Sequence, residues 1–182
     1  MSDLSHSTQK GPTGPFLSAC RHLTTLLDWS GRLISVICLA VMFVLLFINV
    51  VLRYAAGSGI PWAYEIHAIL LPWLVAGGIV VAAAQGRNIA ISILPNLISP
   101  NALRWLIVFV SMIVFVICVS VIWAGQPTFR AATFQSLATL GLKQVWGYAS
   151  LIYAFGGMGV IALTDAIRAV LGDVQHADTS LS

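Results

Sequence analysis

LISVICLAVMFVLLFINVVL, residues 33–52, decides what kind of chain this is. Its only clearly polar side chains are Ser35 and Asn49, and Arg32 and Arg53 bracket it. At about 1.5 Å per residue a helix over this stretch is roughly 30 Å long, the thickness of a bilayer's hydrocarbon core. Comparable stretches follow at about 62–84 (its apolar run about 66–84), 105–125 and 145–164. A soluble domain of 182 residues has no interior able to hide four such helices. The chain therefore reads as an all-α integral membrane protein with four transmembrane helices.

Composition agrees. Hydrophobic residues make up 59% of the chain and charged residues 8%, against about 25% charged in soluble domains. The net charge of +3 is scattered and forms no basic stripe, so nucleic acid is not an expected partner. With an even number of spans both termini share a side. Lys10, Arg21, Arg32, Arg87, Arg104 and Arg168 fall on that side, and Arg53, Arg130 and Lys143 on the other. The positive-inside rule then predicts cytoplasmic termini.

Residues 1–15 are rich in Ser, Thr, Gly and Pro and bury too little apolar surface to order, which predicts a flexible cytoplasmic tail. Across 16–31, Phe16, Cys20, Leu23 and Leu27 recur at helical spacing, the pattern of a short amphipathic helix in the membrane interface. Residues 32–168 form the membrane domain, and 169–182 a second flexible tail. Within that domain, Gly57, Gly59 and Pro61 punctuate a tight loop. Pro72 should kink the second helix. Ala90–Ile98 is apolar but too short to cross, as an interfacial or re-entrant segment would be. Residues 128–144 read as an external loop or short helix. The first span begins too far into the chain, and is too long, for a cleaved signal peptide.

Few residues offer chemistry. Cys20, Cys38 and Cys118 form no C-x-x-C pair and read as buried small hydrophobes. Glu65 stands in the first turns of the second helix, where it can favour the helix N-terminus or pair with Arg53. His67 is the only histidine outside the terminal segments, and haem between helices needs facing ligands. Asn49 is expected to hydrogen-bond to a neighbouring helix. Gly78 and Ala82 share a face of the second span, and Gly156, Gly157 and Gly159 crowd the fourth, permitting close helix approach. Neither nucleotide, metalloprotease nor hydrolase motifs occur, and no repeat or midplane carboxylate suggests a complete transporter. No enzyme activity, cofactor or metal is expected.

Asn49-Val50-Val51-Leu52-Arg53-Tyr54, then Pro61-Trp62-Ala63-Tyr64-Glu65, then Leu71-Pro72-Trp73-Leu74-Val75-Ala76-Gly77-Gly78 resemble the DctQ-type small permease subunit of TRAP (tripartite ATP-independent periplasmic) transporters. That family shows an N-x-x-x-R-Y end to the first span, a W-x-x-E opening to the second, and a downstream Trp and Gly. The motif is confined to about residues 49–93. It departs at Asn88-Ile89, where the family often has a His, and at Lys143-Gln144-Val145-Trp146, where Pro-x-Trp is common.

The resemblance implies a scaffold in a bacterial inner-membrane importer. A periplasmic binding protein delivers an organic acid, usually a carboxylate, to a large elevator-type subunit driven by sodium symport. The small subunit braces the large one and binds neither substrate nor sodium. Asn49, Arg53, Tyr54, Trp62, Glu65, Trp73, Gly77 and Gly78 become candidates for the subunit interface or for positioning. Arg130 and Lys143, in the outer loop, become candidates for docking the binding protein. Two other readings remain: the small four-span subunit of a tripartite tricarboxylate transporter, and a membrane electron-transfer anchor.

Overall fold

Prolines mark where most of the helices begin. In the computed structural model, which describes residues 15–93, 100–137 and 140–171, α1 spans Pro15–Ala56, α2 Pro61–Ile93, α3 Pro100–Ala124, α4 Gln126–Phe134 and α5 Val145–Val170. A proline at the first helical position gives up an N–H that has no intrahelical partner anyway, and its φ is already helical. α1 ends at Gly57, whose φ of 72° suits the left-handed residue that closes many helices. Among the described residues, four segments are long and apolar enough to cross a bilayer: 18–56, 61–86, 101–134 and 145–170. Among the described residues there are no strands, only an isolated bridge between Ser136 and Lys143.

The helices extend past the expected spans. Residues 16–31 do not form a separate element: they are the first four turns of the 42-residue α1. No proline lies between Pro15 and Pro61 to interrupt it, and Leu27 packs beside Val80, Ala84 and Ile161. α2 continues through Pro72 and on to Ile93, so the start of the expected interfacial stretch 90–98 is helical, while 94–99 lies outside the described residues. Both expected tails lie outside them as well, apart from their helix-proximal residues. The external loop or short helix expected over 128–144 includes the short helix α4, and the described residues after it form a turn. Leu137 N–H donates to Leu142 O at 2.9 Å, and Gln144 N–H to Gln135 O at 3.0 Å.

α2 and α5 sit side by side at the centre, α1 flanks α2, and α3 flanks α5. α5 is the most enclosed helix, burying Gly147, Ser150, Ala154, Gly157, Ile161 and Ala166 among others. Its small side chains suit lipid, where helices associate by close packing rather than by exclusion from water. The hydroxyls of Ser150 and Thr164 donate back to Gly147 O and Ile161 O in their own helix. No buried hydroxyl there lacks an acceptor. Below, the end carrying Arg53, Glu65 and Lys143 is the rim, and the end carrying Arg21, Arg104 and Arg168 the base.

Candidate functional site

The side chains with polar work to do fasten one helix to the next. At the rim, Asn49 is buried (3% exposed) and its Oδ1 accepts from Ile60 N–H at 2.6 Å. Its partner is the connection into α2, not the helix itself. Ile60 directly precedes Pro61, so the contact anchors the first turn of α2, whose leading N–H groups have no acceptors in the helix. Gly59 lies against the same oxygen: a Cβ there would stand 2.8 Å from Asn49 Oδ1. Asn49 at the end of the first span and Gly59-Ile60 before the second are therefore two halves of one closure.

Glu65 makes the second rim fastening. Its Oε2 accepts from Leu140 N–H at 3.0 Å, so the α2 start holds the turn between α4 and α5. Gly141, in that turn, has φ 65°, a conformation that glycine adopts without strain. Arg53, the partner weighed for Glu65, is exposed at the end of α1. Replacing Glu65 with Ala is expected to loosen the turn by about 0.5–1.5 kcal/mol, read as faster limited proteolysis between α4 and α5. Glu65→Gln retains an acceptor oxygen and should cleave at close to the parental rate.

His67 joins α1 to α2, with Nδ1 2.7 Å from Ala63 O and Nε2 3.1 Å from Met42 O. Both acceptors are carbonyls, so a neutral ring donates to one of them and the imidazolium to both. The ring is occupied in packing, not turned toward a facing ligand.

Lower down, Trp73 Nε1–H donates to Trp146 O at 2.9 Å and its ring lies 5.8 Å from that of Tyr153. Ser30 Oγ donates to Leu27 O at 2.9 Å, which leaves Tyr153 to donate to Ser30 across 2.7 Å. Trp73, Tyr153 and Ser30 thus connect α2, α5 and α1. Beside them α1 and α2 cross at Gly31 and Gly77. A Cβ on Gly77 would stand 2.6 Å from Gly31 O and closer still to Ser35 Oγ.

The sequence candidates accordingly separate into two groups. Asn49, Glu65, Trp73 and Gly77 are engaged within the module. Arg53, Tyr54, Trp62 and Gly78 point away from it, Tyr54 at 87% exposure and Gly78 with nothing near its Cβ position. Ala82 is exposed like Gly78, and Gly156 is open, whereas Gly157 meets Val80 and Gly159 meets Cys118. Arg130 and Lys143 are exposed at the rim. Sequence reasoning missed Ser30, Gly31 and Tyr153, whose types are ordinary for membrane helices. Gly31 could have been found as a second small residue placed to oppose the α2 glycines. No group of three or more metal-binding side chains occurs among the described residues.

This is a multi-pass helical membrane module whose polar groups serve its own assembly. The chain belongs to the family described as tripartite ATP-independent periplasmic transporters, DctQ component, whose model matches residues 24–172. Among its relatives are two proteins of Haemophilus influenzae named as TRAP transporter small permease proteins. One is 26% identical over 151 residues, covering 81% of this chain and 94% of the relative. The other is 25% identical over 139 residues, covering 75% and 81%. The sialic acid TRAP transporter permease protein SiaT of the same species is 26% identical over 131 residues, covering 72% of this chain and 21% of SiaT. No solved structure matches. The family match sets aside the tricarboxylate-transporter and electron-transfer readings.

Proposed function

We propose that this small permease subunit is a scaffold for a large elevator-type membrane subunit, in sodium-driven uptake of an organic acid delivered by a periplasmic binding protein. The observation that carries the proposal is the match to about a fifth of the much longer SiaT permease. The stretch that matches small permease proteins over most of their length also lies within that larger permease, beside the rest of it. The internal use of Asn49, Glu65, His67 and Trp73 fits a bracing part better than a solute path. In this reading the chain sits in the bacterial inner membrane with both termini cytoplasmic, and residues 16–31 lie toward the inner headgroups. Arg53, Tyr54, Trp62 and Gly78 are offered to the large subunit.

Deleting the chain is expected to abolish uptake, with substrate capture by the binding protein unchanged. Purification in mild detergent should recover a much larger polytopic subunit with it. Uptake that persists in the deletion strain contradicts the scaffold role.

Arg130 and Lys143 serve, in this reading, as part of the docking surface for the binding protein. Reversing their charge should alter the ionic-strength dependence of transport, because rim charges act on encounter through screened fields. Unchanged kinetics from low to high salt would place the dock elsewhere.

A further inference from the structure

One ion pair stands at a depth where bare lipid is a costly neighbour. Arg32 Nε lies 2.9 Å from Asp28 Oδ2, one turn away on α1, and the arginine side chain is 56% exposed. Asp28 Oδ1 is enclosed and accepts no hydrogen bond among the described residues. The depth of the pair follows from its neighbours. Gly31, next to Arg32, packs on Gly77 of α2, and Leu27, next to Asp28, lies against Gly157 of α5. Along the crossing stretch Pro61–Gly86, Gly77 is about 24 Å from the rim end and about 13 Å from the base end. Along Val145–Val170, Gly157 is about 18–20 Å from each end. The pair therefore stands near mid-height of the two central helices. A bilayer set on residues 33–52 alone would bring Arg32 to the headgroups, but it would expel the apolar runs 78–84 of α2 and 158–163 of α5 into water.

The pair also has a defined side. Successive helical residues turn by about 100°. Ser30, just before Gly31, turns to α5 and shares a hydrogen bond with Tyr153 at 2.7 Å; Arg32, just after, is turned as far the other way. On α2, Val80 meets Gly157 of α5, whereas Gly78 has nothing within 4 Å of its Cβ position. Arg32 and Gly78 thus flank the Gly31–Gly77 crossing together, on the side away from α5. One turn toward the base, Asp28 and the exposed Ala82 continue that flank. Charges within a span are paired or enclosed by protein, and small residues let another helix approach closely. We propose that this flank seats a transmembrane helix of the large subunit, which bears at mid-depth an oxygen acceptor, carboxylate or backbone carbonyl, for the guanidinium of Arg32. Nε holds Asp28, and the Nη groups of the five-donor fork are left for that acceptor. The inference rests on the reading of the chain as a brace for the large subunit, and adds the place where it grips.

The test uses the complete transporter. Gly78→Leu fills the seat and Arg32→Met removes the donors. Each should lower recovery of the large subunit in mild detergent by about tenfold or more. Gly78→Leu should leave the thermal midpoint of the small subunit alone unchanged, since its side chain enters open space, so it carries the test if Arg32→Met fails to fold. Ala82→Cys labelled with a benzophenone maleimide should, on irradiation in lipid, form an adduct with the large subunit; the parent, with its three buried cysteines, is the blank. Undiminished recovery with Gly78→Leu, or an adduct with phospholipid in place of the large subunit, overturns the proposal and leaves the scaffold reading standing. A parent that recovers no large subunit overturns that reading, and the seat with it.

Discussion

Gly77→Ala is expected to disrupt the module, while Gly78→Ala, one residue along, leaves it intact. The added methyl of Gly77→Ala falls 2.6 Å from Gly31 O and nearer still to Ser35 Oγ. The first obstacle is backbone, which cannot rotate away, so α1 and α2 must part. Overpacking of this kind costs about 1–3 kcal/mol, and the loss spreads because Ser35 reaches Leu74 O at 3.4 Å through the same crossing. Gly78 has open space where its methyl would go, and alanine is the better helix former by about 1 kcal/mol. Thermal unfolding in detergent, followed by yield from the membrane, separates the two. Equal midpoints for both variants would mean that the Gly31–Gly77 crossing does not hold α1 against α2.

The second large effect is expected at Asn49. Asn49→Leu keeps the branched outline of the side chain and removes the oxygen, leaving Ile60 N–H without its acceptor in a partly buried connection. An unsatisfied buried donor costs about 1–3 kcal/mol, or a midpoint lower by several degrees at about 2–4 °C per kcal/mol for a chain of this size. Asn49→Asp retains an acceptor oxygen, which a helix N-terminus favours, and should unfold close to the parent. Gly59→Ala should resemble Asn49→Leu, because its Cβ would crowd the same oxygen at 2.8 Å. If Asn49→Leu and Asn49→Asp fall together, the residue matters for its packing and not for the hydrogen bond.

The four membrane helices were legible because length and apolarity are summed over some twenty residues, so one misplaced boundary changes little. The far ends of α1 and α2 were not. Residues 16–31 have the periodicity of an amphipathic helix, and periodicity alone does not tell a separate interfacial helix from the continuation of a span. Leu27 against Val80 and Ile161 supplies that distinction, and it requires residues far apart in sequence.

At the site, types were readable and partners were not. Asn49 and Glu65 stand out as polar residues beside apolar runs, but their donors, Ile60 N–H and Leu140 N–H, are backbone groups that carry no signature in the sequence. Gly77 and Gly78 are chemically identical neighbours. Only the rotation of about 100° between successive helical residues turns one inward and the other out.

α1 is tied to its neighbours at Ser30, Gly31, Met42 and Asn49, points spread over about 30 Å of a helix roughly 63 Å long. Bending it would strain several of these ties together. Displacement of its Arg53 end would therefore be passed to the module as a whole rather than absorbed by a bend within α1.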